Sequence, residues 1–420
     1  MEDSSDSDIK TDSDMDCDVD SNVESDSDSD LDSDADSDGE TNQCKQSKNE
    51  RKKILHKIAK VLQQDPHPKS FCKTEDLKPN DLHIKVERVG LLELPLQQNQ
   101  IKQLLKISTK AKFGKRSKTI LDESVRNTSM IDSNKLKVTI DQDIFSSMLK
   151  KMRKGLGLSE DTSLIPHIHN MLVYGPGQFF DFHQDSEKLD DMVATLVIVL
   201  PYPHIGGNLI IKNKMHSENK FVFSSQNISN KVVKCVAFYS DCLHKVEEVS
   251  DGYRVVLTYN LVLQSNSTEE EIMKLAATNM QLKLLVSKYF SMESNVDTLQ
   301  LAYFLDHQYT EKNFKLNKLK GADASNVIAF YNVAKQLDLS FHVALVEISE
   351  HFYIEEDQRM AKGYKYSVRD EDWLDEDMKN RCISVSHWID KDNNIVPFGT
   401  LELDEKYDVC QTKDTSTFKP

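Results

Sequence analysis

Two histidines and one aspartate in the middle of the chain have the types and the spacing of a non-haem iron site. One residue separates His183 from Asp185, and His244 follows Asp185 by 59 positions. Two imidazoles and one carboxylate form the facial triad that binds Fe(II) and leaves coordination positions open. In an Asp-rich chain with 13 histidines, about one His-x-Asp pair is expected by chance, so a surface turn is the alternative for the pair alone.

An arginine ten positions after His244 adds a second chemical function. Arg254 begins a run of β-branched and aromatic residues, 254–263, that predicts a buried strand. The planar guanidinium matches a carboxylate bidentately, so Arg254 suits the distal carboxylate of a keto-diacid that chelates the iron. The alternative is a structural ion pair with Glu247 or Glu248.

Short strands must position these residues. Apolar or alternating runs bounded by turn residues predict strands at 168–174, 179–185, 193–200, 208–212, 220–223, 232–239, 244–249 and 253–263. Eight short strands favour a double-sheet jelly roll, at whose mouth ligands from distant strands can converge. Residues i and i+2 of an extended chain share a face, so we expect His183 and Asp185 to point at one metal from a single strand.

Together these features resemble a known family. The region 168–263 looks like the 2-oxoglutarate- and Fe(II)-dependent dioxygenase superfamily, on its prolyl 4-hydroxylase-like side. The matching elements are Tyr174, His183-x-Asp185, the Gly206-Gly207-x-Leu209 turn, His244 and Arg254. Stretches from Phe113-Gly114 to Ala322-Asp323 also resemble fungal and giant-virus proteins that carry this domain.

The resemblance implies an oxidoreductase built on a double-stranded β-helix. His183, Asp185 and His244 would be both the metal ligands and the catalytic centre. Fe(II) would be the cofactor, 2-oxoglutarate and O2 the co-substrates, and L-ascorbate a further cofactor. Arg254 would hold the distal carboxylate of 2-oxoglutarate. Tyr174 would assist it by hydrogen bonding, with a core aromatic as the alternative for this tyrosine.

Three functions stay open for such a domain. The first is hydroxylation of a prolyl or other side chain of an intracellular protein, although many collagen-type prolyl hydroxylases have Lys where this chain has Arg254. The second is oxidative demethylation of nucleic acid, favoured by five basic residues at 110–118, for which a solvated surface loop is the alternative. Relatives of that kind have a second arginine after the one that binds the co-substrate, and 255–263 contains none. The third is a non-catalytic β-helix module that binds partners, against which the complete triad argues.

The acidity of the chain belongs to its first residues. Residues 1–40 contain 18 Asp or Glu and one Lys, so the net charge of −16 leaves the remainder at about +1. A Ser-Asp repeat with almost no large apolar side chains cannot offset its ordering entropy, so 1–45 is predicted to be a disordered tail. Its role would be phosphorylation, binding of basic proteins, or solvation.

The rest of the chain divides by pattern into three parts. A basic helix at 50–63 and a polar linker occupy 46–80. The dioxygenase domain covers 81–263, with its core at 168–263 and flanking helices at 97–107 and 139–154. The last part, 264–420, has α/β character and begins with a helix at 269–290; in it, His307 is expected to be a packed or surface residue rather than a catalytic one.

The cysteines and the apolar runs indicate a location. Seven cysteines without CxxC spacing indicate a reducing compartment, and Cys235 and Cys242 fit ordinary burial. No signal-peptide pattern and no membrane-spanning apolar run is recognised. We therefore expect an intracellular protein, cytoplasmic or nuclear and not secreted, without a membrane partner.

Overall fold

The computed structural model describes residues 42–63, 70–115, 118–213, 220–225, 232–265, 279–292, 300–352, 379–390, 392–397 and 409–410. The chain divides into two units, Met1–Lys45 and Gln46–Pro420. The predicted acidic tail lies outside the described residues as far as residue 41, so the account below concerns the second unit.

Three of the described helices lie close to predicted ones. The first helix begins at Asn42, eight residues before its predicted start and inside the predicted tail of 1–45, and the last helix was not predicted. The described helices are α1 (Asn42–Gln63), α2 (Gln98–Ile107), α3 (Gln142–Gly155), α4 (Met280–Phe290) and α5 (Gly321–Gln336), with short 3-10 turns at Pro79–Asp81, Ser133–Lys135 and Leu316–Lys318. The carboxylate of Asp141 caps α3 by accepting hydrogen bonds from the backbone N–H groups of Asp143 and Ile144. The helix predicted at 269–290 is described only from 279, where α4 confirms it. Among the described residues, no helix is both long and apolar enough to cross a membrane.

Strands make up most of the catalytic region. In chain order they are β1 (Cys72–Leu77), β2 (Leu82–Val86), β3 (Gly90–Leu91), β4 (Thr109–Lys110), β5 (Phe113–Lys115), β6 (Lys118–Ile120), β7 (Arg126–Asn127), β8 (Ser129–Asp132), β9 (Leu136–Ile140), β10 (Thr162–Tyr174), β11 (Gln178–His183), β12 (Met192–Val199), β13 (His204–Gly206), β14 (Leu209–Lys212), β15 (Lys220–Phe223), β16 (Val233–Tyr239), β17 (Leu243–Gly252), β18 (Arg254–Ser265), β19 (Ala302–Tyr303), β20 (Val343–Phe352), β21 (Lys379–Ile389) and β22 (Val409–Cys410). The predicted mainly β core with flanking helices is confirmed.

Two antiparallel sheets carry the site. The larger has the order β1-β16-β12-β18-β10-β8-β4, and the smaller has the order β15-β14-β17-β11-β7, with β13 paired to β17. From β10 to β18 the chain passes back and forth between the two sheets. Strands distant in sequence therefore become neighbours, which is how β11 and β17 meet.

One hydrophobic cluster joins the two sheets. It contains Leu196 and Val256 from the larger sheet, Ile211 and Val249 from the smaller one, and Met152 from α3. Every residue of β12 is buried, as expected for a central strand covered on both faces. Cys235 and Cys242 are buried in the same cluster, which confirms their ordinary structural role.

Two regions differ from the sequence prediction. The polar linker predicted before residue 81 contains β1, which pairs with β16 along its whole length and forms the edge of the larger sheet. The second predicted core strand was expected to include Asp185, but β11 ends at His183. Asp185 therefore reaches the metal site from the connection after the strand, not from the strand face.

The basic helix α1 belongs with the C-terminal region. Its apolar face, including Ile54 and Ile58, packs in one cluster with Leu282 and Tyr289 of α4 and Val333 of α5. A third cluster, around Phe314 and Val343, joins α5 to the hairpin of β20 and β21. The described part of 264–420 thus contains both helices and strands, as predicted, and has its own cores.

Candidate metal centre

The three predicted metal ligands converge. His183 and His244 lie directly opposite each other in the register of β11 and β17, and their ring centres are 4.1 Å apart. Nε2 of His183 is 3.9 Å from Oδ1 of Asp185, and Nε2 of His244 is 3.7 Å from Oδ2. The candidate ligand atoms of all three residues lie within 4.8 Å of one another. Strand pairing thus brings together residues that are 61 positions apart in the sequence.

Hydrogen bonds orient each of the three ligands. Nδ1 of His183 is 2.8 Å from the carbonyl oxygen of Asp181, and Nδ1 of His244 is 3.0 Å from that of Cys242. Because a carbonyl only accepts, both Nδ1 atoms carry the proton and both Nε2 atoms keep a free lone pair for a metal. The Thr195 hydroxyl donates to Oδ2 of Asp185 at 2.6 Å. Such outer contacts are typical of metal centres.

The surroundings of His183 keep its imidazole neutral. The ring of His183 stacks on Phe180 with 3.4 Å between ring centres. Burial, reinforced by the neighbouring His244, lowers the pKa of His183 to about 3. Burial alone would raise the pKa of Asp185, but the two histidines and the Thr195 hydroxyl outweigh it and hold that pKa below its ordinary value. A neutral imidazole beside an ionised carboxylate is the form that binds a metal cation.

Arg254 is a buried cation that lacks an anionic partner. Its side chain is 1% exposed, and Nη2 has no hydrogen-bond partner among the described residues. The predicted alternative, an ion pair with Glu247 or Glu248, is not formed within the described structure. The Glu247 carboxylate instead accepts a hydrogen bond from Asn208. Burial lowers the pKa of Arg254 to about 10, so the guanidinium is still charged at neutral pH.

Tyr174 lies next to this cation. It is 1% exposed, it faces Arg254 in the register of β10 and β18, and the guanidinium carbon is 5.7 Å from its ring centre. Tyr174 also interacts electrostatically with Asp185. Tyr174 is also a member of the hydrophobic cluster that joins the sheets, so its role at the co-substrate stays a prediction beside that of a core aromatic.

Glycines make room for the arginine. Gly207 has φ +67°, and a Cβ atom there would lie 2.9 Å from Cδ of Arg254 and 2.8 Å from the Val249 side chain. At Gly206, with φ +79°, a Cβ atom would lie 2.2 Å from the carbonyl oxygen of Glu248. The Gly206-Gly207 turn is thus required by the close approach of β17 and the Arg254 side chain.

Several contacts in the site were not predicted. His204 contacts Ser225, and Ser225 contacts Arg254. Thr195 contacts Asp185, and Arg126 lies 4.4 Å above the Phe180 ring. Each comes from a strand or turn whose neighbours are fixed by sheet pairing. No local pattern marked these residues as parts of the site.

A large cleft opens at the candidate metal centre. Its volume is about 2410 Å³, and its wall on the catalytic side includes His183, Asp185 and Arg126. The opposite wall comes from the C-terminal region, with Tyr303, Phe304 and further residues up to Trp388. Of the predicted basic loop at 110–118, Lys110 and Lys112 line the cleft, and Lys110 is paired with Glu123 at 3.0 Å.

A buried polar network attaches the C-terminal wall to the turn before His244. Asp241 accepts hydrogen bonds from the His307 ring at 3.0 Å and the Gln308 backbone at 3.1 Å, and Nζ of Lys320 is 3.4 Å from its other oxygen. Asp323 accepts hydrogen bonds from the backbone of Asp306 and His307. His307 is packed against Tyr239, in agreement with the prediction of a packed or surface residue.

The residues present fit Fe(II) and 2-oxoglutarate. Two neutral imidazoles and one carboxylate supply a hard nitrogen and oxygen ligand set with room for further ligands. A buried guanidinium with an unpartnered Nη2 is costly in free energy unless an anion joins it. The distal carboxylate of 2-oxoglutarate would provide that anion.

Comparisons with known proteins agree with the geometry. Residues 169–262 match the family model of the 2OG-Fe(II) oxygenase superfamily. Among curated proteins, none matches the sequence significantly. The similar solved structures include a prolyl-4-hydroxylase of Pseudomonas putida, with 17% identity and a TM-score of 0.28 over 50% of this chain and 98% of that one.

Two further structures are similar over part of the chain. A prolyl hydroxylase from Trichoplax adhaerens, in complex with a peptide of hypoxia inducible factor, has 12% identity and a TM-score of 0.30 over 53% of this chain and 94% of that one. The viral collagen prolyl hydroxylase of Paramecium Bursaria Chlorella virus-1 has 16% identity and a TM-score of 0.22 over 33% and 79%. All three TM-scores are below 0.5, so these similarities carry no argument about function.

Proposed function

We propose that residues 169–262, which match the family model of the 2OG-Fe(II) oxygenase superfamily, belong to a 2-oxoglutarate-dependent dioxygenase that hydroxylates a side chain of a protein. His183, Asp185 and His244 would bind Fe(II), and Arg254 with Tyr174 would bind 2-oxoglutarate. The observation that carries the ligand assignment is the convergence of the triad on one point, beside a buried arginine that has no anion.

We also infer that the two sheets are the halves of a double-stranded β-helix. Strands β10, β12, β16 and β18 lie in the larger sheet, and β11, β14, β15 and β17 lie in the smaller one. This interleaving is what a jelly roll requires. It supports an assignment of the triad to one end of the roll, where β11 and β17 bring their histidines together.

The protein and the cofactors divide the work. Bound Fe(II) supplies the redox chemistry by which O2 oxidises the substrate while 2-oxoglutarate becomes succinate and CO2. His183 and His244 present Nε2 because their Nδ1 protons are donated to backbone carbonyls, and Thr195 orients the Asp185 carboxylate. Phe180 packs on the His183 ring and keeps water from that side of the imidazole.

The size of the cleft supports a macromolecular substrate. Pockets for small molecules have volumes of roughly 300–1,000 Å³, and this cleft, at about 2410 Å³, is much larger. Aromatic and aliphatic side chains from the C-terminal region line the side opposite the triad, among them Phe304, Leu305 and Phe341. A polypeptide segment could contact this wall while one side chain reaches the iron.

The charges of the cleft favour protein over nucleic acid. Among its described lining residues, six are Lys or Arg and six are Asp or Glu. A nucleic-acid track requires an excess of cations along the phosphates. Of the basic members, Lys110 is paired with Glu123, Lys312 with Asp190, and Lys320 with Asp241. The balance of charges among the described lining residues therefore supports a protein substrate over a nucleic acid.

An anaerobic titration tests the ligand assignment. Fe(II) and 2-oxoglutarate are added to the purified full chain while the metal-to-ligand charge-transfer band is recorded. Wild type and His167→Ala, a control at an exposed histidine of β10, should show the band, and His183→Ala should not. Absence of the band in wild type, or its persistence in His183→Ala, contradicts the assignment.

A substrate panel tests the second half of the proposal. After O2 is admitted, succinate release is measured with peptide pools and with methylated oligonucleotides. Peptides are examined for a mass increase of one oxygen atom, and oligonucleotides for loss of the methyl group as formaldehyde. We expect turnover with peptides. Turnover with oligonucleotides alone would overturn the protein-hydroxylase proposal and leave the iron site intact.

A further inference from the structure

We propose that His204 and Ser225 form a buried relay that positions Arg254 to bind the distal carboxylate of 2-oxoglutarate. The inference rests on the proposed function, because it concerns the same co-substrate. Neither residue is among the predicted ligands. Both would act through the arginine and are positioning residues.

The three side chains make a continuous chain of hydrogen bonds. Nδ1 of His204 is 3.0 Å from the carbonyl oxygen of Tyr202 and therefore carries the proton. Nε2 then accepts from the Ser225 hydroxyl, at 3.1 Å. The Ser225 oxygen in turn accepts from Nε of Arg254, at 3.4 Å. Each of these hydrogen bonds has a single possible direction, so one protonation state of His204 satisfies all of them.

Burial of the three side chains favours the neutral state of His204. His204 is 4% exposed, and Ser225 and Arg254 are each 1% exposed. Burial, assisted by the positive charge of Arg254, lowers the pKa of His204 below its ordinary value. A neutral imidazole can accept from Ser225, whereas a protonated one would place a second cation beside the arginine.

In the proposed relay, Ser225 and the distal carboxylate bind different nitrogens of the Arg254 guanidinium. A bidentate carboxylate takes two parallel N–H donors of the guanidinium. Ser225 occupies Nε, and Nη2 has no hydrogen-bond partner among the described residues. The serine therefore restricts the rotation of the guanidinium plane, and Nη2 stays available to an anion.

Backbone geometry places His204 next to the clamp. His204 pairs with Gly252 in the register of β13 and β17, two residues before Arg254. A Cβ atom at Gly252, where φ is +71°, would lie 2.2 Å from the Pro203 carbonyl oxygen and 2.9 Å from Cα of His204. Only glycine permits this close approach of residue 252 to the Pro203–His204 backbone. The approach brings His204 near Arg254.

Substitution of the middle residue tests the relay. Ser225→Ala removes the hydroxyl and little volume, and a hydrogen bond to a charged group corresponds to about a tenfold or greater change in binding. Using the full chain with Fe(II) under anaerobic conditions, Kd is measured for 2-oxoglutarate and for 2-oxobutanoate, which lacks the distal carboxylate. Ser250→Ala, an exposed serine of β17 that bonds the Ile205 carbonyl, is the matched control.

The expected result is a Kd for 2-oxoglutarate that rises about tenfold in Ser225→Ala, while Kd for 2-oxobutanoate and both values for Ser250→Ala stay unchanged. In an Arg254→Ala background, the serine substitution should add nothing. Equal weakening of both ligands, or no change in either, overturns the relay. Ser225→Cys, which keeps the volume and weakens the hydrogen bond, replaces Ser225→Ala if the alanine variant does not fold.

Failure of the relay can be told apart from failure of the proposed function. If wild type binds neither 2-oxo acid in the presence of Fe(II), the co-substrate assignment itself is wrong. If wild type binds 2-oxoglutarate more tightly than 2-oxobutanoate and Ser225→Ala keeps that preference, binding of the distal carboxylate by Arg254 is supported and only the relay is refuted.

Discussion

Lys320→Met should destabilise the attachment of the C-terminal wall to the catalytic turn. Lys320 is 3% exposed, and its ammonium donates to the Gln308 carbonyl oxygen at 2.8 Å besides pairing with Asp241 at 3.4 Å. Methionine has a similar length, so the substitution removes the charge and both contacts without opening a large cavity. Asp241 would then be a buried carboxylate with fewer partners.

The size of the expected loss of stability depends on the hydrogen bonds that Asp241 retains. Breaking a buried ion pair from one side costs about 3–5 kcal/mol. Because Asp241 retains hydrogen bonds from His307 and Gln308, we expect the lower end, about 3 kcal/mol. With a urea dependence of about 2 kcal/mol per molar, the unfolding midpoint should fall by about 1.5 M.

Tryptophan fluorescence is a suitable assay. The two tryptophans, Trp373 and Trp388, both lie in the C-terminal region, so the signal reports the unfolding of this part of the chain. Lys335→Met, which replaces an exposed lysine of α5, is the control and should leave the midpoint unchanged. If Lys320→Met unfolds at the wild-type urea concentration, the buried pair contributes no net stability and the reasoning is refuted.

Lys320→Met should also change the pH at which the protein unfolds in acid. Burial acts to raise the pKa of Asp241, but Lys320 and His307 outweigh it and hold this pKa far below its ordinary value. Stability from such a carboxyl is present above its unfolded pKa, about 4, and is lost as the pH falls through the folded pKa. Without Lys320 the folded pKa rises, so we expect Lys320→Met to unfold at a higher pH than wild type in an acid titration followed by fluorescence. Identical acid transitions would contradict this.

Two further predictions concern the metal and co-substrate sites. Thr195→Val removes the hydrogen bond to Asp185 and should weaken Fe(II) binding about tenfold, measured by competition with a chelator; an unchanged affinity would show that the carboxylate is oriented without it. Gly207→Ala places a Cβ atom 2.9 Å from Arg254 and should weaken 2-oxoglutarate binding, whereas Gly177→Ala, with a similar φ of +76° and nothing within 4 Å, should not. Equal effects of the two alanines would assign the loss to backbone strain alone.

The strands of the core could be predicted because their signals are local. Runs such as 193–200 and 253–263 are rich in β-branched and aromatic residues, and β12 and β18 appear there within one or two residues. The end of β11 was less predictable, since His183 pairs with His244 and nothing in the local pattern shows where that pairing stops. Asp185 lies close to the two histidines, as predicted, but its assignment to the strand was wrong.

The C-terminal region shows the opposite case. Its sequence predicted mixed helices and strands, but not that its residues would form a wall of the same cleft as the triad. That position depends on buried contacts such as Asp241 with Lys320 and Tyr309 with Asp323, each between residues without a recognisable spacing. Long-range polar pairs of this kind have no periodicity from which they could be read.

The sequence by itself determined the oxidant of this protein: two histidines, an aspartate and an arginine of the right types, in the right order, on predicted strands. Residue type decides which metal and which anion can be bound, and type is present in the unfolded chain. Tertiary structure alone decided that Arg254 is buried without an anion among the described residues, that Ser225 bonds both Arg254 and His204, and that the C-terminal region lines the cleft at the metal centre. The physical reason is that burial and hydrogen-bond partnership are properties of neighbours in space, and antiparallel pairing brings those neighbours from distant parts of the chain.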